Sequence, residues 1–142
     1  MEETTAAARK LPALEPDSAF FWTSGADGVL RIQRCTDCGT WQHPPFPRCS
    51  KCGSEAIAPA PVSGKGRVAS YTINREPWVP GLEVPFVYAV IELDEQPELY
   101  VFTNVLAPVE AMRVGMRVVV EFERHDDVWL PMFRPDGQGG AA

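Results

Sequence analysis

Four cysteines carry the clearest chemistry in this chain. They stand as Cys35-Thr-Asp-Cys38-Gly39 and Cys49-Ser-Lys-Cys52-Gly53, two matched pairs separated by ten residues. A Cys-x-x-Cys turn brings two sulfurs to one side at about 3.5–4 Å, which suits two corners of a tetrahedron. Two such turns complete a four-cysteine ligand set with no open position, and a closed set is structural rather than catalytic. The glycine after each pair relaxes a tight turn that often requires positive φ. Four thiolates around one Zn2+ leave about two net negative charges, and Arg34, Arg48 and Lys51 flank them. The expectation is one structural zinc ion per chain, worth roughly 10 kcal/mol or more to the folding of its segment. Three other uses of the same residues stay open. Iron takes the same ligands, two disulfides would consume all four sulfurs, and redox chemistry at one pair would leave the other unexplained.

No second constellation of catalytic type is visible. The two histidines, His43 and His125, fall in a proline-stiffened connection and a hairpin turn, where solvated side chains are expected. Glu92, Asp94 and Glu95 cluster at a strand end, a usual place for acids. With no nucleophile–base pair, any chemistry is expected to belong to a partner. Binding surfaces are better marked. The loop from Glu76 to Pro85 carries Trp78, Val79 and Leu82 on backbone that must run over the surface, and Trp is favoured as an interface anchor. Phe20, Phe21 and Trp22 form a second apolar group. They either cover this chain's own core or meet a partner.

The elements that must position these groups follow from pattern. Pro16-Asp17-Ser18 opens a short helix through Trp22 that Gly25 can close. Gly28 to Gln33 reads as a strand leading into Cys35. Pro44, Pro45 and Pro47 forbid a helix between the cysteine pairs. Glu55 to Ser63 reads as an Ala- and Pro-rich linker. Strands follow at 66–74, 86–93, 99–106, 118–123 and 128–133, with a helical turn at 108–113. In the first of these, Val68, Ser70 and Thr72 are expected on one side and Ala69, Tyr71 and Ile73 on the other. Five strands with an insertion after the third is the pattern of an OB-fold barrel. The expected organisation is a flexible front (1–15), a helix and metal ribbon (16–60), a barrel (61–135) and a flexible tail (136–142).

Composition sets the outer bounds. A chain of 142 residues supports one or two small domains, the smaller needing a staple. The net charge of −6 argues against general affinity for phosphate backbones. No apolar run is long enough to span a bilayer, and Met1 to Arg9 lacks the apolar core of a secretory signal. A cytoplasmic protein is expected, where paired cysteines more often hold metal than form disulfides. Charge is uneven. Arg31, Arg34, Arg48, Lys51, Lys65, Arg67 and Arg75 face only Asp37 and Glu55 between residues 31 and 75.

The ordered features resemble the DUF35 family. The residues that carry the resemblance are Phe21-Trp22, Leu30 to Cys35, Cys38-Gly39, Pro44-Pro45 and Cys49 to Cys52. Downstream they are Gly64-Lys-Gly66, Ser70-Tyr-Thr72, Pro85, Leu93-Asp94-Glu95, Val114-Gly115-Met116 and Leu130 to Phe133. The turn Gln96-Pro97 departs from it, where the family often has Gly. The resemblance implies a mainly β chain: an N-terminal helix and rubredoxin-like zinc ribbon followed by a five-stranded OB-fold barrel. It implies a non-catalytic accessory subunit of a thiolase-superfamily aldolase or acyltransferase acting on acyl-CoA, with steroid side-chain cleavage among the reactions served. Contacts to that partner or to acyl-CoA are then expected at Phe20, Phe21, Trp22, Trp78, Val79, Leu82, Arg34, Arg48 and Arg75. The competing class is a single-stranded nucleic-acid binder, which needs a basic groove with stacking aromatics. The barrel half has Arg113, Arg117, Arg124 and Arg134 against ten or more acids.

Overall fold

The computed structural model describes residues 11–78 and 80–137. The expected flexible front and tail lie mostly outside that range, as does Val79. Among the described residues, no helix is long and apolar enough to cross a membrane.

The first unit is a small antiparallel sheet. Its central strand β1 (Arg31–Cys35) pairs with β2 (Trp41–Gln42) on one side and β3 (Ile57–Pro61) on the other. β3 replaces the expected linker. It pairs with β1 from Arg31↔Pro61 to Cys35↔Ile57. Its prolines are tolerated because an edge strand leaves one row of backbone groups free of a ladder. That Ala-Pro composition also hides the strand from pattern reading. Ahead of the sheet, helix α1 (Ala19–Thr23) runs into a 3-10 turn (Ser24–Asp27), which Gly28 closes in the left-handed region. The helix therefore ends at Gly28 rather than Gly25, and β1 starts later than expected. Gly25 is glycine for another reason: a Cβ there would lie 2.5 Å from the Phe122 ring.

The second unit is a closed five-stranded barrel. Its strands are β4 (Lys65–Asn74), β5 (Phe86–Leu93), β6 (Tyr100–Val105), β7 (Arg117–His125) and β8 (Val128–Pro135). They close in the order β4-β5-β6-β8-β7, with β7 returning to β4 and a 3-10 turn (Val109–Ala111) after the third strand. This is the OB-fold arrangement expected from the spacing. One detail differs. A bulge between Val68 and Ser70 shifts the register of β4 against β5. Gly66 and Val68 are buried before it, while Tyr71 and Ile73 pack on the core after it. Val68 and Tyr71 thus share the inner face, because one extra residue inverts the alternation.

One continuous core joins the two units. Leu30, Ile32 and Phe21 from the front pack with Val68, Val87, Ile91, Leu93, Val118 and Phe133 of the barrel. A polar clasp fixes their relative position. The Gln96 side chain lies in the β5–β6 turn and addresses the backbone of Trp41 on β2. Trp41 N–H donates to Gln96 Oε1 at 3.0 Å, and Gln96 Nε2 donates to the Trp41 carbonyl at 2.9 Å. An amide side chain thereby stands in for a neighbouring strand. Beside it, Glu95 Oε2 accepts from Ser63 N–H at 2.8 Å.

Substituting Gln96→Ala leaves both Trp41 backbone groups without these partners, so a loss of about 1–3 kcal/mol is expected. Urea denaturation reads the stability, and faster amide exchange at Trp41 than at core barrel positions locates the loss.

Candidate metal centre and apolar cleft

The two cysteine pairs form nearly identical knuckles. In the first, Cys35 N–H donates to Thr40 O (2.9 Å) and Gly39 N–H to Cys35 O (2.8 Å). In the second, Cys49 N–H donates to Ser54 O (2.9 Å) and Gly53 N–H to Cys49 O (2.9 Å). Gly39 and Gly53 take φ of 81° and 79°, which a Cβ would strain. The first cysteine of each pair is buried and the second exposed. Backbone N–H groups point at sulfur: Cys38 N to Cys35 Sγ at 3.5 Å, Lys51 N and Cys52 N to Cys49 Sγ at 3.3 and 3.4 Å. All four sulfurs lie within 4.8 Å of one another, with Cys35–Cys52 and Cys38–Cys49 at 3.6 Å. Four soft donors converge on one point, so the residues fit a single structural metal ion. Its role there is to hold the two knuckles together, not to activate a substrate.

Without a cation the thiols ionise unequally. Cys38 is drawn down to about 6, first by the Thr40 hydroxyl and then by the Thr40 main chain. Cys49 is lowered, chiefly by the Cys52 N–H. At Cys52 the Ser54 main-chain hydrogen bond lowers the pKa, but burial and the neighbouring sulfurs outweigh it and push the thiol up to about 12. At neutral pH a metal must therefore displace at least the Cys52 proton, so binding weakens in acid.

The two arginines beside the knuckles serve the turns. Arg34 Nε donates to Gly39 O at 3.0 Å, and Arg48 Nη1 to Gly53 O at 2.9 Å. Each guanidinium spans the same five-residue interval in its own knuckle. Arg34 also lies over the Trp41 ring and Arg48 pairs with Glu55. Arg31 and Arg67 pair with Asp27 and Glu92. Three of the seven bases between residues 31 and 75 are thus paired with an acid within the chain. Arg75 stands apart, exposed after the end of β4. The acidic group at the β5 end is likewise structural: Glu92 bonds Arg67 and the Glu98 N–H, and Asp94 bonds Arg117.

Both histidines depart from the expected solvated state. The His43 ring packs 4.5 Å from that of Phe21, its Nδ1 is buried without a partner, and desolvation lowers its pKa to about 4. The His125 side chain is largely covered and contacts Glu123 Oε1 at 2.9 Å.

The apolar candidates separate. Phe21 is buried, while Phe20 and Trp22 are half-buried against the core. The α1 group covers this chain's own interior because a five-residue helix this apolar must dock. Leu82 is half-buried. Trp78 is 73% exposed, with its indole N–H held by Asn74 Oδ1 at 2.7 Å. Sequence reasoning missed a cleft of about 760 Å3 between α1, the His43–Pro45 connection and the outer face of the barrel. Tyr88 and Phe102 stand in it, 45% and 59% exposed, with ring centroids 6.5 Å apart. Each occupies an outward position of an alternating strand. An aromatic pair at outward positions of adjacent strands was the available signal.

This fold and ligand set define a zinc-ribbon and OB-fold protein. Residues 22–58 match the rubredoxin-like zinc ribbon domain of ChsH2, and residues 60–123 match its C-terminal OB-fold domain. The solved structure of an Ltp2-ChsH2(DUF35) aldolase contains a similar chain. Its TM-score is 0.79 at 35% identity, over 88% of this chain and 98% of that one. The chain belongs to the DUF35 family and resembles its ChsH2 members. Among curated relatives, a probable enoyl-CoA hydratase alpha subunit of Thermomonospora curvata is 37% identical over 94% of this chain. The 3-oxo-4,17-pregnadiene-20-carboxyl-CoA hydratase alpha subunit of Mycobacterium tuberculosis is 35% identical over 88%. This chain spans only 42% and 40% of those two proteins. A benzoylsuccinyl-CoA thiolase subunit, BbsA, of Geobacter metallireducens is 28% identical, over 78% of this chain and 77% of that subunit.

Two measurements check this site. Cys38→Ser or Cys52→Ser is expected to cut bound metal from one ion per chain to less than a tenth, read by elemental analysis. Acidification is expected to weaken metal binding, read by transfer of the ion to an indicator dye. For His43, the lowered pKa means the folded state keeps the ring neutral while the unfolded chain takes up a proton. Its contribution is therefore full above about 6.5 and is lost as pH falls toward 4, a span of about 3 kcal/mol. Its imidazole resonances should titrate near 4 in the native protein, with His125→Gln used to assign them.

Proposed function

We propose that this chain is a non-catalytic accessory subunit that binds and supports a thiolase-superfamily enzyme acting on an acyl-CoA. The observation that carries this reading is the 35% identity along 98% of the ChsH2(DUF35) chain of an aldolase. The similarity to a thiolase subunit agrees with it. The geometry supports a subunit without chemistry of its own. Its cysteines converge on a closed metal site, His43 is held neutral beneath Phe21, and His125 is engaged by Glu123. We assign zinc to the four sulfurs and place the protein in the cytoplasm. Exposed Trp78, with its indole already oriented, is the proposed anchor for the partner enzyme.

The reaction served is retro-aldol cleavage of a steroid side chain. A hydratase acting on a pregnadiene carboxyl-CoA, as one relative is named, adds water across a double bond conjugated to the thioester. The product is a β-hydroxyacyl-CoA, and a β-hydroxy thioester is what a retro-aldol step cleaves. The nucleic-acid reading has less support. The cleft that displays the aromatics contains Glu98 and neither Lys nor Arg among the described residues, whereas a stacking groove needs bases to follow a phosphate backbone.

Co-expression with a thiolase-like protein encoded beside it tests the proposal. A stable hetero-oligomer on size exclusion is expected, with aldol cleavage only when both chains are present. Trp78→Ala is expected to weaken that association by about tenfold or more. Two proteins eluting independently, with full activity in the enzyme alone, would overturn it. Elemental analysis should return one zinc per chain.

A further inference from the structure

The cleft has the dimensions of a ligand site. Its volume of about 760 Å3 lies within the roughly 300–1,000 Å3 typical of sites for small organic molecules. Trp22 comes from α1, Pro44 and Pro45 from the ribbon, and Tyr88, Phe102 and Met132 from the barrel. The walls are thus apolar, and most stand on packed strands.

Two features narrow what fits. With Glu98 as its one carboxylate and no Lys or Arg among the described residues, the cleft offers nothing to neutralise phosphate. The nucleotide end of CoA is therefore excluded from it. Several polar groups in the walls are also already spent. The Thr103 hydroxyl donates to the Pro131 carbonyl at 2.6 Å and the Asn104 amide to the Val87 carbonyl at 2.9 Å. The hydroxyls of Tyr88 and Tyr100 donate to no described residue. What remains is a broad apolar cleft whose unengaged polar groups are the two phenol hydroxyls, the Ser18 hydroxyl and His43 Nδ1. A rigid ring system loses no rotamer freedom on entering such a site, whereas a straight acyl chain does.

Resting on the acyl-CoA reading above, we propose that this cleft binds the polycyclic apolar acyl group of the substrate. A ring ketone or hydroxyl accepts a hydrogen bond from Tyr88 or Tyr100, and the CoA moiety stays outside. The accessory chain then contributes to substrate selection as well as to assembly.

The test uses the metal-loaded full chain and tryptophan fluorescence. The probes are a neutral 4-ene-3-oxo steroid, its 3-deoxo analogue, octanoyl-CoA and CoA alone. Saturable binding of the 3-oxo steroid is expected, at least about tenfold tighter than octanoyl-CoA, with none for CoA. Phe102→Asp, at an exposed position, is expected to weaken it about tenfold or more without moving the thermal midpoint. The double variant Tyr88→Phe/Tyr100→Phe should lose several-fold for the 3-oxo steroid and nothing for the 3-deoxo analogue. No saturable steroid binding, or wild-type affinity in Phe102→Asp, overturns the proposal. If Phe102→Asp instead abolishes co-elution with the thiolase-like partner while the free chain binds no steroid, the cleft is a protein interface and the proposal fails. Steroid binding that persists where no thiolase-like partner associates would sink the accessory-subunit reading alone and leave the ligand site standing.

Discussion

Four thiols drawn within 4.8 Å cannot all carry charge unless a cation sits among them, and the front half of this protein is organised around that constraint. The knuckle glycines allow the turns, backbone N–H groups face the sulfurs, and Arg34 and Arg48 brace the carbonyls of those glycines. The three-stranded sheet is too small to hold itself by apolar burial, since its edge strands present mostly half-buried or exposed residues. Metal coordination supplies the cohesion that the missing interior would otherwise provide. With the ribbon rigid, the Gln96 clasp and the shared core can position it against the barrel. The cleft exists only because both units are held in that relation.

The basic residues show how local context redirects a global count. An excess of Lys and Arg between residues 31 and 75 invites an anionic ligand. Yet those with described partners bond a nearby acid or a turn carbonyl. Exposed ion pairs of this kind contribute little to stability. Their effect is to offset part of the local positive charge, and the apolar surface is left as the more distinctive feature.

Much of this was legible in the sequence, for physical reasons. The barrel strands announce themselves because half-buried strands alternate, and Phe86–Leu93 is recovered to the residue. The cysteine spacing fixes the ligand set because two-residue loops leave little conformational choice. What escaped depends on contacts distant in sequence. β3 is a strand only because β1 lies beside it. The β4 bulge inverts a parity that alternation alone assigns the other way. His43 is half-buried because Phe21, twenty-two residues earlier, packs against its ring. Gln96 looked like a departure within a turn, and its partner is fifty-five residues away. The cleft is further still from sequence, since α1, the His43–Pro45 connection and three barrel strands all contribute to it.

The barrel is closed unevenly. β7 and β8 are paired over eight positions, whereas β6 and β8 run parallel and share a single register pair, Val105↔Phe133. Beside that pair, the seam holds through the Leu106 N–H on the Phe133 carbonyl and the Thr103 hydroxyl on the Pro131 carbonyl. Pro131 has no N–H to add. The line of least stitching in the barrel therefore runs along one wall of the cleft. A guest that spread this wall would therefore work against few hydrogen bonds between strands.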